Sequence, residues 1–244
     1  MIGVATLSSS AVVISVNHIK KINGVYINAM YHGESQQDKF AIHAVQGKQS
    51  GYFLEIGSNH PIKANNTYLL ETKYKWKGIM VEYDAQFLPL YKQYRPNSIH
   101  LINDASQIVY KDVLETMNAP HAIDYLQIDL EESNGSTLKT LQLLDRDIFD
   151  TYTFATVTFE HDIYCSNIHN TREISREIFA RRGYTSVFQD INNGYKYPYE
   201  DWYVHPTLVN TRYIQELKSL NQKHYKQHKV TGSTINWRDI EYPI

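Results

Sequence analysis

The sequence predicts an α/β protein: a doubly wound, mostly parallel, seven-stranded sheet with a short N-terminal extension and a C-terminal helix. Three observations carry this reading. Short apolar runs recur along the chain, Tyr52–Ile56 and Gly78–Tyr83 foremost, and such runs suit strands buried on both faces. Segments of helical periodicity lie between them, and strands that alternate with helices make a parallel sheet covered on both sides. Run after run closes on a glycine or an acid, and in open sheets of this class ligands sit beyond the carboxyl ends of the strands.

The elements follow in order. Val12 to Ile27 carries β-branched alternation broken by Asn23-Gly24, a hairpin signal, and residues 1–34 are taken as an N-terminal extension to a main domain of residues 35–244. Ser35-Gln36-Gln37-Asp38 opens a helix through Val45, with the serine as cap. Tyr52–Ile56 is the first central strand. A helix over Asn66–Lys75 turns Tyr68, Leu69 and Leu70 inward, and Gly78–Tyr83 is the second strand. Asp84 caps a helix to about Tyr94, which Arg95-Pro96-Asn97 breaks. Ser98–Ile102, Ile123–Leu130 and Ala155–Phe159 are the next strands, separated by helices over Lys111–Met117 and Thr137–Leu144. Thr171–Arg182 is a helix with Ile174, Ile178 and Phe179 on one face, stopped by Gly183. Tyr184–Asp190 and Trp202–His205 complete the strands, and a last helix runs from about Thr211 to Lys229 around Leu217 and Leu220.

Composition narrows the function classes. A chain of 244 residues holds one full α/β domain with short additions. Its 24 basic and 26 acidic residues leave a net charge of -2, which exerts no long-range pull on nucleic acid or acidic membranes. The single cysteine, Cys165, allows neither an internal disulfide nor a thiolate zinc cluster, so a reducing, cytoplasmic setting is the expectation. Met1 to Val16 is apolar and serine-rich but has no basic start, so it does not read as a signal peptide. No run approaches the ~20 apolar residues of a membrane span. The 20 tyrosines suit surfaces that stack on sugar rings, or reflect compositional bias.

The polar residues at the strand ends point to a ligand. Gly57, after the first central strand, lets the chain turn tightly and approach a ligand closely. Glu82, at the tip of the second, is placed to accept hydrogen bonds from a ribose diol. The dinucleotide fingerprint needs G-x-G-x-x-G, whereas this chain has Gly57-Ser58-Asn59-His60-Pro61. A cofactor with a ribose and no phosphate fits better. Asp104, Asp129, Glu131, Glu160 and His161 fall on the same edge.

Gly51–Asn59, Asn66–Leu70, Lys73–Glu82 with its Trp76-Lys77-Gly78, and Ile123–Glu131 together resemble an FkbM-type S-adenosylmethionine-dependent methyltransferase. The lead-in Ser35–Asp38 is similar too, and the likeness spans about Ser35 to His205. It implies a class I methyltransferase fold and O-methylation, commonly of a sugar or glycan hydroxyl. Carried over, Gly57 and Asn59 line the amino-acid end of S-adenosylmethionine, Glu82 its ribose, and Asp104 with Ala105 its adenine. Gln37, Glu55, Ser58, Tyr83 and Asp129 complete the cofactor set. Two places differ from the family pattern. His60-Pro61 stands where a glycine is usual after Asn59, and D-x-E-G-x-E reads Asp129-Leu130-Glu131-Glu132-Ser133-Asn134.

Methyl transfer to a hydroxyl requires donor and acceptor about 3 Å apart and removal of a proton, by a base or with the help of a divalent ion. Asp129 and Glu131 lie two apart at one strand end, and Glu160-His161-Asp162 closes the neighbouring strand. Asp129, Glu160 and His161 resemble the layout by which some sugar O-methyltransferases hold manganese or magnesium. With a metal there, Glu131 is the better base; without one, His161; failing both, Asp162 or His205. The expected partner is a saccharide acceptor, a deoxyhexose favoured, with no nucleic acid. The N-terminal extension and late helix leave room for a homodimer contact or a joint to other glycan-modifying domains. The competing readings are a non-catalytic cofactor-binding module of a glycan-assembly complex, a methyltransferase of a non-sugar hydroxyl, and a nucleotide-sugar-modifying or hydride-transferring enzyme.

Overall fold

The computed structural model describes residues 19–22, 25–28, 31–164, 169–192 and 198–231, with side chains between residues 31 and 222. The chain divides into two units, residues 1–31 and 32–244. In the first, β1 (Ile19–Ile22) and β2 (Val25–Asn28) pair antiparallel with Ile22 opposite Val25, the register that an Asn-Gly turn demands. Residues 23–24, and the predicted alternation upstream of residue 19, lie outside the described residues.

The second unit is the predicted doubly wound sheet. Its strands are β3 (Tyr52–Ile56), β4 (Lys77–Glu82), β5 (Ile99–Ile102), β6 (Ala122–Ile128), β7 (Thr153–Glu160), β8 (Thr185–Ile191) and β9 (Glu200–Val204). They lie in the order β5-β4-β3-β6-β7-β9-β8. β3 to β7 are parallel, and β9 runs antiparallel to both β7 and β8. This is the doubly wound, mostly parallel, seven-stranded arrangement that the sequence predicts. The winding reverses between β3 and β6, so their carboxyl ends open a crevice at the switch point.

Alternation along the strands feeds two cores. On β9, Tyr203 joins the layer of Leu54, Ile56, Val81, Leu126, Ile128 and Phe179, while Trp202 and Val204 join that of Phe40, Phe188 and Leu217. The helices are α1 (Gln37–Ala44), α2 (Tyr68–Thr72), α3 (Leu88–Tyr94), α4 (Tyr110–Thr116), α5 (Ser136–Asp147), α6 (Thr171–Arg181) and α7 (Thr211–Thr231). No described helix is long and apolar enough to cross a membrane.

Local chemistry explains most boundaries. Asp84 accepts a hydrogen bond from the Gln86 amide and starts a 3-10 turn ahead of α3, as its type predicts. Gly183, at φ +83°, takes the left-handed turn that ends α6. Two expectations need correction. Ser35 does not cap α1: its hydroxyl meets the Tyr199 hydroxyl at 2.5 Å, and the uncapped Gln36 precedes the helix instead. α2 covers half the predicted span because Lys75 turns left-handed and the Trp76 amide returns to the Leu70 carbonyl.

Arg95, which ends α3, is fully buried. It pairs with Glu71 at 2.7 Å and donates to Asn65 Oδ1 at 2.8 Å and Thr67 Oγ1 at 2.6 Å. This guanidinium therefore pins residues 65–71 from below, and with them the loop that follows β3. A buried arginine with its donors satisfied is an acceptable core element, whereas removing one partner strands a charge.

Candidate active site at the switch point

A cavity of about 770 Å³ opens over the carboxyl ends of β3, β4 and β6. Gly57 forms its floor. At φ +86° it brings β3 so close to β6 that a Cβ there would stand 1.7 Å from the Asp129 carbonyl oxygen. The Gly57 and Ser58 amides both donate to the Val81 carbonyl at 3.0 Å, which ties the turn to β4. Glu82, at the tip of β4, accepts from the Asn59 amide at 2.7 Å and the Asp84 amide at 2.9 Å. One lone-pair direction on each oxygen remains for a ligand. Tyr91 donates to the Asn59 carbonyl from below. Beside Glu82, Tyr83 is 78% exposed on the cavity wall, a large apolar face without cover. Asp104 caps the 3-10 turn at residues 105–107 through the Ser106 amide at 2.8 Å, and Ala105 lies against the wall.

The other end of the cavity is acidic. Asp129 and Glu131 follow β6, Asp162 follows β7, and Asn134 and Ser136 close the rim at the start of α5. Behind Asp129, Glu160 faces Glu200 across the β7–β9 register. Burial pushes the Glu160 carboxyl well above its usual range, and the nearby Asp129 and Asp162 add to the effect. Asp129 is raised as well, by burial first and then by Asp162 and Glu34, while a hydrogen bond with Glu160 opposes the rise. Burial and crowding thus disfavour ionising both acids at once, and their mutual hydrogen bond favours the proton on Glu160. Burial lifts Glu200 to about 8, and Gln37 Nε2 donates to it at 3.0 Å. Glu131 is different. Its carboxylate accepts from the Ser133 amide at 3.1 Å, and the hydrogen bonds of Ser133 hold its pKa below the ordinary value.

Gly57, Asn59, Glu82, Tyr83, Asp104, Ala105, Asp129 and Glu131 thus share one cavity. Gln37, Glu55, Ser58, Glu160 and His161 are not among its walls. Glu55 is fully buried beside Arg95 and accepts from Asn65 Nδ2 at 3.3 Å, so it holds the loop rather than a ligand. Gln37 spends its amide on Glu200 and the Ser35 amide. His161 turns its ring to Asp201, with Nε2 3.6 Å from the carboxylate, and only 1% of it is exposed. It cannot reach an acceptor in the cavity. The residue from that strand end that does is Asp162, named at the sequence level only as a fallback base. The walls Leu130, Asn134 and Ser136 were missed.

The expected metal set does not assemble. Among the described residues, the one group of acids and histidines whose donor atoms lie within 4.8 Å of one another is His161, Asp190 and Asp201. Two arginines already neutralise it. Arg176 forks onto Asp201 at 2.7 and 3.0 Å, and both Arg172 and Arg176 meet Asp190, at 3.0 and 2.9 Å. His161 and Arg176 hold the Asp201 pKa down against the effect of burial. The cluster is a structural ion network, because its carboxylate oxygens are already taken by arginine donors.

No protein-family model matches the chain, and no curated protein sequence matches it. Solved structures are similar in architecture. They include a TehB-like SAM-dependent methyltransferase from Corynebacterium glutamicum, at 11% identity over 71% of this chain and 88% of that one, with a TM-score of 0.45. A precorrin-6y C5,15-methyltransferase from Geobacter metallireducens is 12% identical over 69% and 88%, with a TM-score of 0.44. Fibrillarin from Aeropyrum pernix, with natively bound S-adenosyl-L-methionine, is 11% identical over 78% and 84%, with a TM-score of 0.43. At these levels the likeness says nothing of substrate.

Proposed function

We propose that this chain is an S-adenosylmethionine-dependent O-methyltransferase of the FkbM type that acts on a sugar hydroxyl, with a deoxyhexose as the favoured acceptor. The observation that carries this reading is the shared wall at the switch point. A forced left-handed glycine, a double amide-held carboxylate and an uncovered aromatic ring line one cavity there, of the size that small-molecule ligands occupy. Glu82 receives the ribose hydroxyls, Tyr83 covers the adenine with Asp104 and Ala105 at its edge, and Gly57 and Asn59 meet the amino-acid end. The bound cofactor supplies an electrophilic methyl group. The remainder is the chain's own work.

Asp129 is the base. It lines the cavity, and burial raises its pKa toward working conditions, where a base is most effective. Glu160 carries a proton behind it and steadies its negative form. Glu131 is exposed, gives its carboxylate to the Ser133 amide and orders the turn at residues 132–134 instead. No step passes through a metal, since the donors for one do not converge. A chelator is expected to leave both turnover and melting unchanged, and loss of either would restore the metal.

The decisive experiment is calorimetry with S-adenosylmethionine and its demethylated product, followed by transfer of a labelled methyl group to a glycoside panel. Micromolar binding, about -8 kcal/mol, and label on a saccharide are expected. Absence of binding to either cofactor form rejects the reading. Binding without transfer to any acceptor would favour a cofactor-binding module.

A further inference from the structure

One step back along the strands from the cavity, on the same face of the sheet, lies a second polar row. Glu55 of β3, Gln127 of β6 and Thr158 of β7 stand side by side in register. Two residues further on come Gly57, Asp129 and Glu160, with Glu200 of β9 opposite Glu160. The ladder holds through this step, because the Asp129 amide donates to the Ile56 carbonyl at 3.0 Å. Residues two apart on a strand share a face, so Gln127 stands next to Asp129 on the buried side. Its neighbours in the row are engaged elsewhere. Glu55 accepts from Asn65 Nδ2, and Thr158 meets the Tyr125 hydroxyl at 2.6 Å. Gln127 is 3% exposed and its Oε1 has no partner. Its Nε2 donates to Asp129 Oδ2 at 3.4 Å. A buried amide whose oxygen is left unsatisfied costs stability that an apolar side chain of the same size would not. What the glutamine supplies in return is the donor.

We propose that Gln127 is a positioning residue for methyl transfer: its amide holds one oxygen of Asp129, turns the carboxylate toward the acceptor and leaves the shared proton to Glu160. This rests on the methyltransferase reading above, in which Asp129 is the base, and adds the group that sets it. Burial is the first cause of the raised Asp129 pKa, and Asp162 at the end of β7 and Glu34 ahead of α1 add to it. Hydrogen bonds from Glu160 and Gln127 oppose the rise. Glu200 on β9 is an acid too, raised in part by Asp129 itself. Of these neighbours Gln127 alone is a donor that carries no charge and cannot titrate, so it favours the ionised form of Asp129 at every pH. Gln37 is the natural comparison. It is as deeply buried, at 4%, and its Nε2 goes to Glu200 at 3.0 Å.

The test is carbon-13 carboxyl NMR of the full chain in a pH titration, with the two signals assigned through Asp129→Asn and Glu160→Gln. In the unaltered protein Asp129 should be the first of the pair to ionise. In Gln127→Met, which fills the same space without a donor, the Asp129 midpoint should rise by about half a pH unit or more, whereas Gln37→Met should not raise it. On a glycoside that the protein methylates, the acid limb of kcat against pH should move up with that midpoint while the KM for S-adenosylmethionine stays constant. A merely structural role would move neither midpoint nor limb. Ionisation of Glu160 first, an unmoved Asp129 midpoint in Gln127→Met, or an equal rise in Gln37→Met would overturn the proposal. The order of ionisation in the unaltered protein decides the matter even if Gln127→Met fails to fold. Absence of S-adenosylmethionine binding in calorimetry, with the Asp129 shift intact, would instead overturn the methyltransferase reading and leave the pairing of Gln127 with Asp129 standing.

Discussion

The two halves of one sheet edge use the same side chains in opposite ways. Beyond β3, β4 and β5, each carboxylate meets backbone amides: Glu82 those of Asn59 and Asp84, Asp84 that of Gln86, Asp104 that of Ser106. Beyond β6, β7 and β9, the carboxylates other than Glu131, which takes the Ser133 amide, meet one another: Asp129 with Glu160, Glu160 opposite Glu200, Asp162 beside both. The first arrangement makes rigid acceptors, ready for hydroxyl groups. The second stores protons, and protons are what a transfer to a hydroxyl must move. The kind of chemistry at a strand end is set by which donors its acid finds, and not by the acid.

The largest effect should come from the shared floor. Gly57→Val places a branched side chain into the Asp129 carbonyl, so folding at the switch point and cofactor binding should both be lost, as melting and calorimetry would register. A soluble, cofactor-binding variant would mean that the two halves are not coupled there. Next, Asp129→Asn should lower turnover by roughly 10²–10⁴-fold, the worth of a general base, and leave cofactor affinity nearly constant. If affinity fell and turnover did not, the division between the halves would be misplaced. Glu82→Ala should do the reverse and weaken cofactor binding by about 1.5–3 kcal/mol.

The smallest effect is on stability. Glu200 has an ordinary value of 4.5 and is pushed up to about 8, so the native state binds more protons than the unfolded chain across that interval. Its contribution is full below the lower value and is lost as pH rises through the upper one. Asp38, raised from 3.8 to about 6 by burial, accounts for the acid part of the same fall. Glu200→Gln should flatten the upper part and gain roughly 1–3 kcal/mol near pH 9 in denaturant unfolding. An unchanged pH profile would show that the acceptor half does not store protons.

Much of the fold was legible because it is written locally. Apolar runs mark β3 and β4, Asn23-Gly24 marks a hairpin, Asp84 and Asp104 carry the signature of caps, and Gly183 stops a helix. Each signal is a few residues long and its energy is set within one turn. That Gly57 and Glu82 reach one cavity was readable for the same reason, since they sit at the ends of recognisable strands. The rest required partners distant in sequence. Whether Glu55 faced a ligand or Arg95, and whether His161 or Asp162 entered the cavity, depended on contacts between segments tens of residues apart. Nothing in the residue type distinguishes the two cases. Glu160 and Glu200 read alike as strand-end acids until β9 inserts antiparallel beside β7 and sets them face to face. The chain's own pattern established the sheet, its winding and the edge where a ligand belongs, because hydrophobic period and turn chemistry act over short range. Which acids line the cavity, and how far their pKa values are raised, were decided by packing, because burial and neighbouring charge are properties of the assembled edge.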